Sequence, residues 1–268
     1  MEKEHYTLND PIFLYGLSEG ANSQDFFDDK REIMIVGGAA CQLNMRNKPS
    51  SLRPTTDIDI ISNLPTNNRE KKLWAAGLEQ KITANSDYSV KGGLTRYGSE
   101  VRFTNSCPDF ILHLDCVTPT FFNRHQKRIK SEYERAEIIS IHGKNVRYHS
   151  PTDIILNKIR RIKNLESANL INLDPTQNYL LALICDGQFD DAYELTKDVN
   201  LDKVLKTRNQ TVEDLGRYGY KQIIQEIENY KLIKDLYDIS GMVNSIQESN
   251  NKLSRKEFKE GLGLVLLE

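Results

Sequence analysis

Two short runs in this chain can fold in few ways. In TDIDIIS (Thr56–Ser62) and DFILHLDC (Asp109–Cys116), the acids and the histidine all stand on one parity and most of the aliphatic residues on the other. That alternation has the period of a β-strand, whose successive side chains point to opposite faces. Asp57 and Asp59 therefore share one face, with Ile58 and Ile60 turned to the core. His113 and Asp115 share a face in the second run, opposite Leu112, Leu114 and Cys116. A chain built this way needs a sheet with one face sealed in apolar packing and an opposite face able to tolerate grouped carboxylates.

Further strand-like runs cover Ile33–Val36, Val101–Thr104, Ile138–Ile141 and Val146–Tyr148, besides Ile58–Ile61 and Ile111–Val117. IISIHGKNVRYHS predicts a hairpin turning at Gly143-Lys144-Asn145. Helical patterns over Ala39–Arg46 and Glu70–Ile82 sit between the runs. The texture changes near Ser150. SPTDIILNKIRRIKNL places Ser150 as a cap, Pro151 at the first helical position and Asp153 in the first turn; Ile155, Ile159 and Ile162 follow at helical spacing. A helical pair broken at Gly187, a long amphipathic helix and a last helix come after it. The expectation is an α/β (α+β) domain with a mixed β-sheet flanked by helices over 1–149, and an α-helical bundle over 150–268.

Composition excludes several classes. Net charge is −2 over 268 residues, so a polyanion could be held only by a local patch. The four cysteines, Cys41, Cys107, Cys116 and Cys185, form no CxxC pair and read as small buried hydrophobes in a reducing compartment. No apolar run approaches the roughly 20 residues of a membrane span. MEKEHYTLND lacks the apolar segment of a signal peptide, and a cytoplasmic protein with no membrane partner is expected.

Two carboxylates side by side on a strand repel each other unless a cation lies between them. A hard divalent ion such as Mg²⁺ suits them, since it takes oxygen ligands and leaves positions open for phosphate. The plain alternative is a solvated strand face, which is commoner when only one DxD is in view. Asp115, in the middle of an apolar run, could add a third carboxylate from a neighbouring strand and complete a site for two Mg²⁺ ions. His113 reads as a strand-face or supporting residue. IMIVGGAA ends a strand and starts a helix, where the backbone N–H groups of Gly37 and Gly38 can approach a phosphate; the alternative is an ordinary tight turn.

Together VGGAA, RPTTDIDI and the later HLD resemble the signature of the DNA polymerase β-like nucleotidyltransferase superfamily. With SPTDIILNKIRR added, the pattern looks most like its AbiEii-type branch, the nucleotidyltransferase toxins of bacterial toxin–antitoxin and abortive-infection systems. The match spans roughly residues 33 to 163. The resemblance implies that Gly37 and Gly38 hold a nucleoside triphosphate, that Asp57, Asp59 and Asp115 bind Mg²⁺ and serve catalysis, and that Lys158 meets the triphosphate. Arg53 either grips a phosphate or pins the loop ahead of the acid strand. The branch's further aspartate has only loose counterparts here, in Asp174 or in Asp190 and Asp191.

The resemblance further implies transfer of a nucleoside monophosphate from an NTP to a hydroxyl acceptor, RNA or tRNA among the candidates, and an antitoxin protein as partner. Two basic segments, Arg124–Lys130 and Lys158–Lys163, could rim such a site or be solvated helix faces. The alternatives are an aminoglycoside-modifying nucleotidyltransferase and a catalytically inactive nucleotide-binding interaction protein.

Overall fold

The computed structural model describes residues 6–29, 31–47, 52–96, 98–104, 106, 109–115, 117–197, 220–248 and 255–266. The chain divides into two compact units, Met1–Ser150 and Pro151–Glu268.

The first unit is built on a seven-stranded mixed sheet: β1 (Ile33–Val36), β2 (Asp57–Ser62), β3 (Val90–Leu94), β4 (Gly98–Phe103), β5 (Phe110–Asp115), β6 (Glu137–Ile141) and β7 (Lys144–Tyr148), in the order β3-β4-β5-β2-β1-β7-β6. β2 and β5 run parallel, as do β1 and β7; the remaining neighbours are antiparallel. Helices α1 (Pro11–Ala21), α2 (Gly37–Asn44), α3 (Asn68–Asn85) and α4 (Pro119–Glu134) flank the sheet. The mixed sheet with flanking helices is thus what the chain forms.

The strand alternation sorts the two sheet faces. Ile58, Ile60, Leu112 and Leu114 are fully buried on one face, where Phe13 and Leu17 of α1 and Trp74, Leu78 and Ile82 of α3 complete the core. Trp74 Nε1 donates to the Ser23 hydroxyl at 2.6 Å, so the indole is buried without an orphaned donor. On the opposite face an apolar cluster lies towards β1. There Met34 and Val36 pack with Val117, Ile129 and Tyr133, and Ile61 and Phe122 lie against them. Helix α4 therefore covers part of the face that also carries the acids.

Two elements of this unit escape the sequence patterns. β3, VKGGL, is an edge strand held by its full antiparallel register with β4 although glycine is a poor strand former. α1 contains two glycines, and its buried residues pack on β2 and β5 rather than expressing helix propensity. The hairpin between β6 and β7 turns at His142-Gly143, both with positive φ, one residue earlier than the sequence suggests. A two-residue turn of that kind matches the twist of the strands it joins.

The second unit contains α5 (Pro151–Ser167), α6 (Pro175–Cys185), α7 (Phe189–Thr196), α8 (Tyr220–Glu248) and α9 (Arg255–Leu266). α5 buries Ile155, Ile159 and Ile162 at the spacing its sequence sets out. α6 starts on a capping box in which Asp174 accepts from the Gln177 backbone at 2.9 Å, and Gly187 at φ +72° separates α6 from α7. Cys41 is buried and Cys185 half-buried; Cys107 and Cys116 lie outside the described residues. Among the described residues, no helix is long and apolar enough to cross a membrane.

Candidate active site

The acids meet because of register. β2 lies beside β5 with Asp57 opposite Ile111 and Asp59 opposite His113. Asp115 closes β5 two residues further on, on the same face. Asp57, Asp59, His113 and Asp115 are all half-buried, alternating with fully buried neighbours.

His113 Nδ1 lies 3.2 Å from Asp115 Oδ1 and 3.7 Å from Asp59 Oδ1. Among the described residues, ligand atoms of Asp59, His113 and Asp115 all lie within 4.8 Å of one another, a spacing that could hold a metal ion. Asp57 stands just outside this group, and its Oδ1 accepts from the Thr55 hydroxyl at 2.7 Å.

The electrostatics register the crowding. Desolvation, with the charges of Asp59 and Asp57 added, pushes the Asp115 carboxyl up to about 6, against the pull of His113. His113 is raised, chiefly by the neighbouring Asp59 carboxylate with the Asp115 charge contributing, and desolvation opposes the rise. The His113 ring is thus placed to offset the grouped carboxylates, as a bound cation would. A divalent ion fits this donor set: two carboxylates and a ring nitrogen converge, and each remains reachable from solvent.

The glycine turn sits against the same acids. Val36 is the register partner of Asp59, and α2 begins at the next residue. Gly37 has φ +63°, and a Cβ there would stand 2.5 Å from Asp59 Oδ2. Both facts restrict the position to glycine. The first turn of α2 has no side-chain cap on its N–H groups, so Gly37 and Gly38 open a helix N-terminus beside a carboxylate cluster. Beneath Gly38 lies the buried Arg53, its Nη2 3.0 Å from where a Cβ on Gly38 would be; Nη1 donates to the Pro54 carbonyl at 3.4 Å.

Of the two basic segments, Arg124, Lys127 and Lys130 are exposed on α4, while Arg128 is buried with Glu132 at 3.4 Å. Lys158 belongs to the second unit. Its ammonium is buried and bonds Asp238 at 2.6 Å and Asp235 at 3.0 Å. Arg161 Nε also donates to Asp235, at 2.5 Å. Asp174 is a helix cap, and Asp190 and Asp191 lie in the first turn of α7.

Sequence reasoning gave His113 and Thr95 no place at the centre of the site. HLD placed His113 on the correct face, but only the pairing of β2 with β5 sets its ring between two carboxylates. Thr95 carried no signal at all: it precedes β4 in a tight turn and brings its hydroxyl 3.5 Å from His113 Nε2.

No family model and no curated protein matches the chain. Among solved structures it is similar to an antigenic nucleotidyltransferase-like protein from Paracoccidioides brasiliensis, at 17% identity over 56% of this chain, with a TM-score of 0.37. The match takes in 66% of that protein, just under two thirds of its length. The chain is also similar to the antibiotic-resistance factor ANT(2'')-Ia, at 12% identity over 75% of this chain and 94% of the other, with a TM-score of 0.35.

Proposed function

We propose that this chain is a divalent-metal-dependent nucleotidyltransferase that moves a nucleoside monophosphate from an NTP to a hydroxyl acceptor. One observation carries the reading: the Gly37 turn, which would receive phosphate, touches Asp59, which shares its sheet face with Asp57 and Asp115. A phosphate-binding backbone and a carboxylate cluster in direct contact suit a phosphoryl-type displacement better than either feature would separately.

In that reaction the acceptor oxygen bonds to the α-phosphorus, the bond to the β-phosphate oxygen breaks, and pyrophosphate leaves. The backbone N–H groups of Gly37 and Gly38 hold the triphosphate. Asp57, Asp59 and Asp115 hold divalent cations, which when bound neutralise phosphate charge and offset repulsion towards the incoming oxygen. Asp115, at the open end of β5, is the carboxylate placed to take the acceptor's proton. The protein's share is chiefly positioning. Nucleotide binding in this proposal rests on Gly37 and Gly38, with Arg53 buttressing their turn. Lys158, which the resemblance would bring to the triphosphate, bonds two buried aspartates of its own unit.

For the acceptor, the exposed Arg124, Lys127 and Lys130 support RNA, tRNA included. The resembled branch would make the protein a toxin restrained by an antitoxin.

The test incubates the purified protein with each labelled NTP, a divalent ion and either total cellular RNA or an aminoglycoside mixture. The expected result is label in a discrete RNA band, abolished in Asp57→Ala and Asp59→Ala. Label on the aminoglycoside would replace the acceptor assignment, and no transfer from any NTP to either would overturn the reading.

A further inference from the structure

The side chain set between Asp59 and Asp115 is an imidazole rather than a third oxygen donor, and its surroundings are those of a metal ligand. Nδ1 faces both acids, at 3.2 Å from Asp115 and 3.7 Å from Asp59. Neighbouring ligands of an octahedral ion, bound at about 2.1 Å, stand roughly 3 Å apart. The three ligand atoms lie within 4.8 Å of one another, so an inward movement of Asp59 would close them on one cation.

The far side of the ring gives an independent sign. A metal-binding histidine ordinarily uses its second nitrogen to donate to a fixed acceptor, which sets the tautomer and the ring plane. Here Nε2 faces the Thr95 hydroxyl at 3.5 Å, the outer limit of a hydrogen bond. Thr95 is itself fixed, its Oγ1 accepting from the Gly98 N–H at 2.8 Å and its backbone N–H donating to the Gly98 carbonyl at 3.1 Å. The turn comes this close because Gly98 has no side chain. A Cβ there would lie 2.0 Å from the Leu114 carbonyl oxygen and 3.3 Å from His113 Nε2. One ring nitrogen therefore points at two carboxylates and the other at an immobilised hydroxyl.

We propose that His113 Nδ1 is a metal ligand, completing with Asp59 and Asp115 a mixed nitrogen–oxygen site that prefers a first-row transition ion to Mg²⁺. The proposal rests on the metal-dependent reading of the same acids and changes the ion expected there. Mg²⁺ takes oxygen donors and gains little from an imidazole, whereas the affinity of transition ions rises with a nitrogen donor. Thr95 is a positioning residue that holds the ring in the ligating tautomer.

The experiment uses Mn²⁺ as the probe and needs no turnover. The full-length protein, stripped of metal, is titrated with Mn²⁺ and with Mg²⁺ by calorimetry, and the Mn²⁺ form is examined by pulsed electron paramagnetic resonance for ¹⁴N coupling. The expected results are a directly coupled imidazole nitrogen and Mn²⁺ binding at least about tenfold tighter than Mg²⁺. In His113→Asn the nitrogen coupling disappears and the preference falls towards unity, while Mg²⁺ affinity changes less than about threefold. In Thr95→Val the coupling persists but Mn²⁺ affinity falls roughly tenfold.

Absence of ¹⁴N coupling in the wild-type protein would overturn the proposal whatever the variants do. So would an equal preference for the two ions. Coupling without nucleotidyl transfer would leave this metal assignment standing and remove the proposed function. Transfer without coupling would do the reverse.

Discussion

The two units hold contrasting groups of aspartates. In the C-terminal unit, Asp235 and Asp238 are fully buried, and Lys158 and Arg161 meet their charge with close bonds. In the N-terminal unit, Asp57, Asp59 and Asp115 lie half-exposed on one sheet face, and a single imidazole stands between the last two. The first group is complete in itself and joins α5 to α8. The second has fewer cations against it, and desolvation, with the charges of Asp59 and Asp57 added, lifts Asp115 to about 6. Carboxylates matched by buried cations hold a fold together, whereas Asp59 and Asp115, grouped with His113, could hold a metal ion.

Exchanging the treatment of the two groups gives the largest expected effect. Asp235→Ala takes one of two carboxylates from the buried Lys158 ammonium and leaves Arg161 without its acceptor, and the protein should lose about 3 kcal/mol in denaturant unfolding. Asp59→Ala should leave stability within about 0.5 kcal/mol of wild type while nucleotidyl transfer falls at least about a thousandfold. If the two substitutions destabilised the protein equally, the contrast between the groups would vanish.

A smaller effect sharpens the description of the open site. Gly37→Ala puts a side chain where φ is +63° and Asp59 Oδ2 is 2.5 Å away. The cost is about 2 kcal/mol from strain and displacement, and the displaced carboxylate should weaken metal binding and transfer together. Unchanged metal affinity in a folded Gly37→Ala variant would separate the turn from the acid cluster.

The smallest effect concerns a third acid that behaves like those of the C-terminal unit. Glu19 is buried on α1, bonded by Lys144 and, at 3.0 Å, by Lys81. Desolvation raises its carboxyl, but the bonds from Lys144 and Lys81 outweigh it and hold the group below its ordinary value of 4.5. Because the folded value is the lower one, the contribution is complete above the unfolded value and disappears as pH falls through the folded one. Glu19→Gln should cost roughly 1 kcal/mol at neutral pH and flatten the acid limb of the stability curve, as followed by thermal unfolding between about pH 2 and 5.

Much of the fold was legible because its signals are local. β1 occupies Ile33–Val36 as the apolar run indicated, and β2, β5, β6 and β7 overlap the runs that announced them. α6 and α7 break at Gly187, as glycine's freedom at positive φ allows. β3 was not legible, since two of its five residues are glycine and its pairing with β4 makes it a strand. In the candidate site, the faces of Asp57, Asp59 and Asp115 could be read from parity. Thr95 could not, because a threonine in a turn reveals nothing of what faces it.

Period-2 alternation obliges Asp57 to share a face with Asp59 and His113 with Asp115 wherever their strands lie, and four apolar residues followed by two glycines oblige a strand to end in a sharp turn. The sequence alone determined that much, because each rule operates within a few residues of backbone. Tertiary structure decided that β2 lies beside β5 with Asp59 opposite His113, and that Lys158 faces aspartates 77 and 80 residues away. Those outcomes depend on which distant surfaces exclude water together, and hydrophobic burial, being non-directional, leaves no trace of its partner in the local sequence.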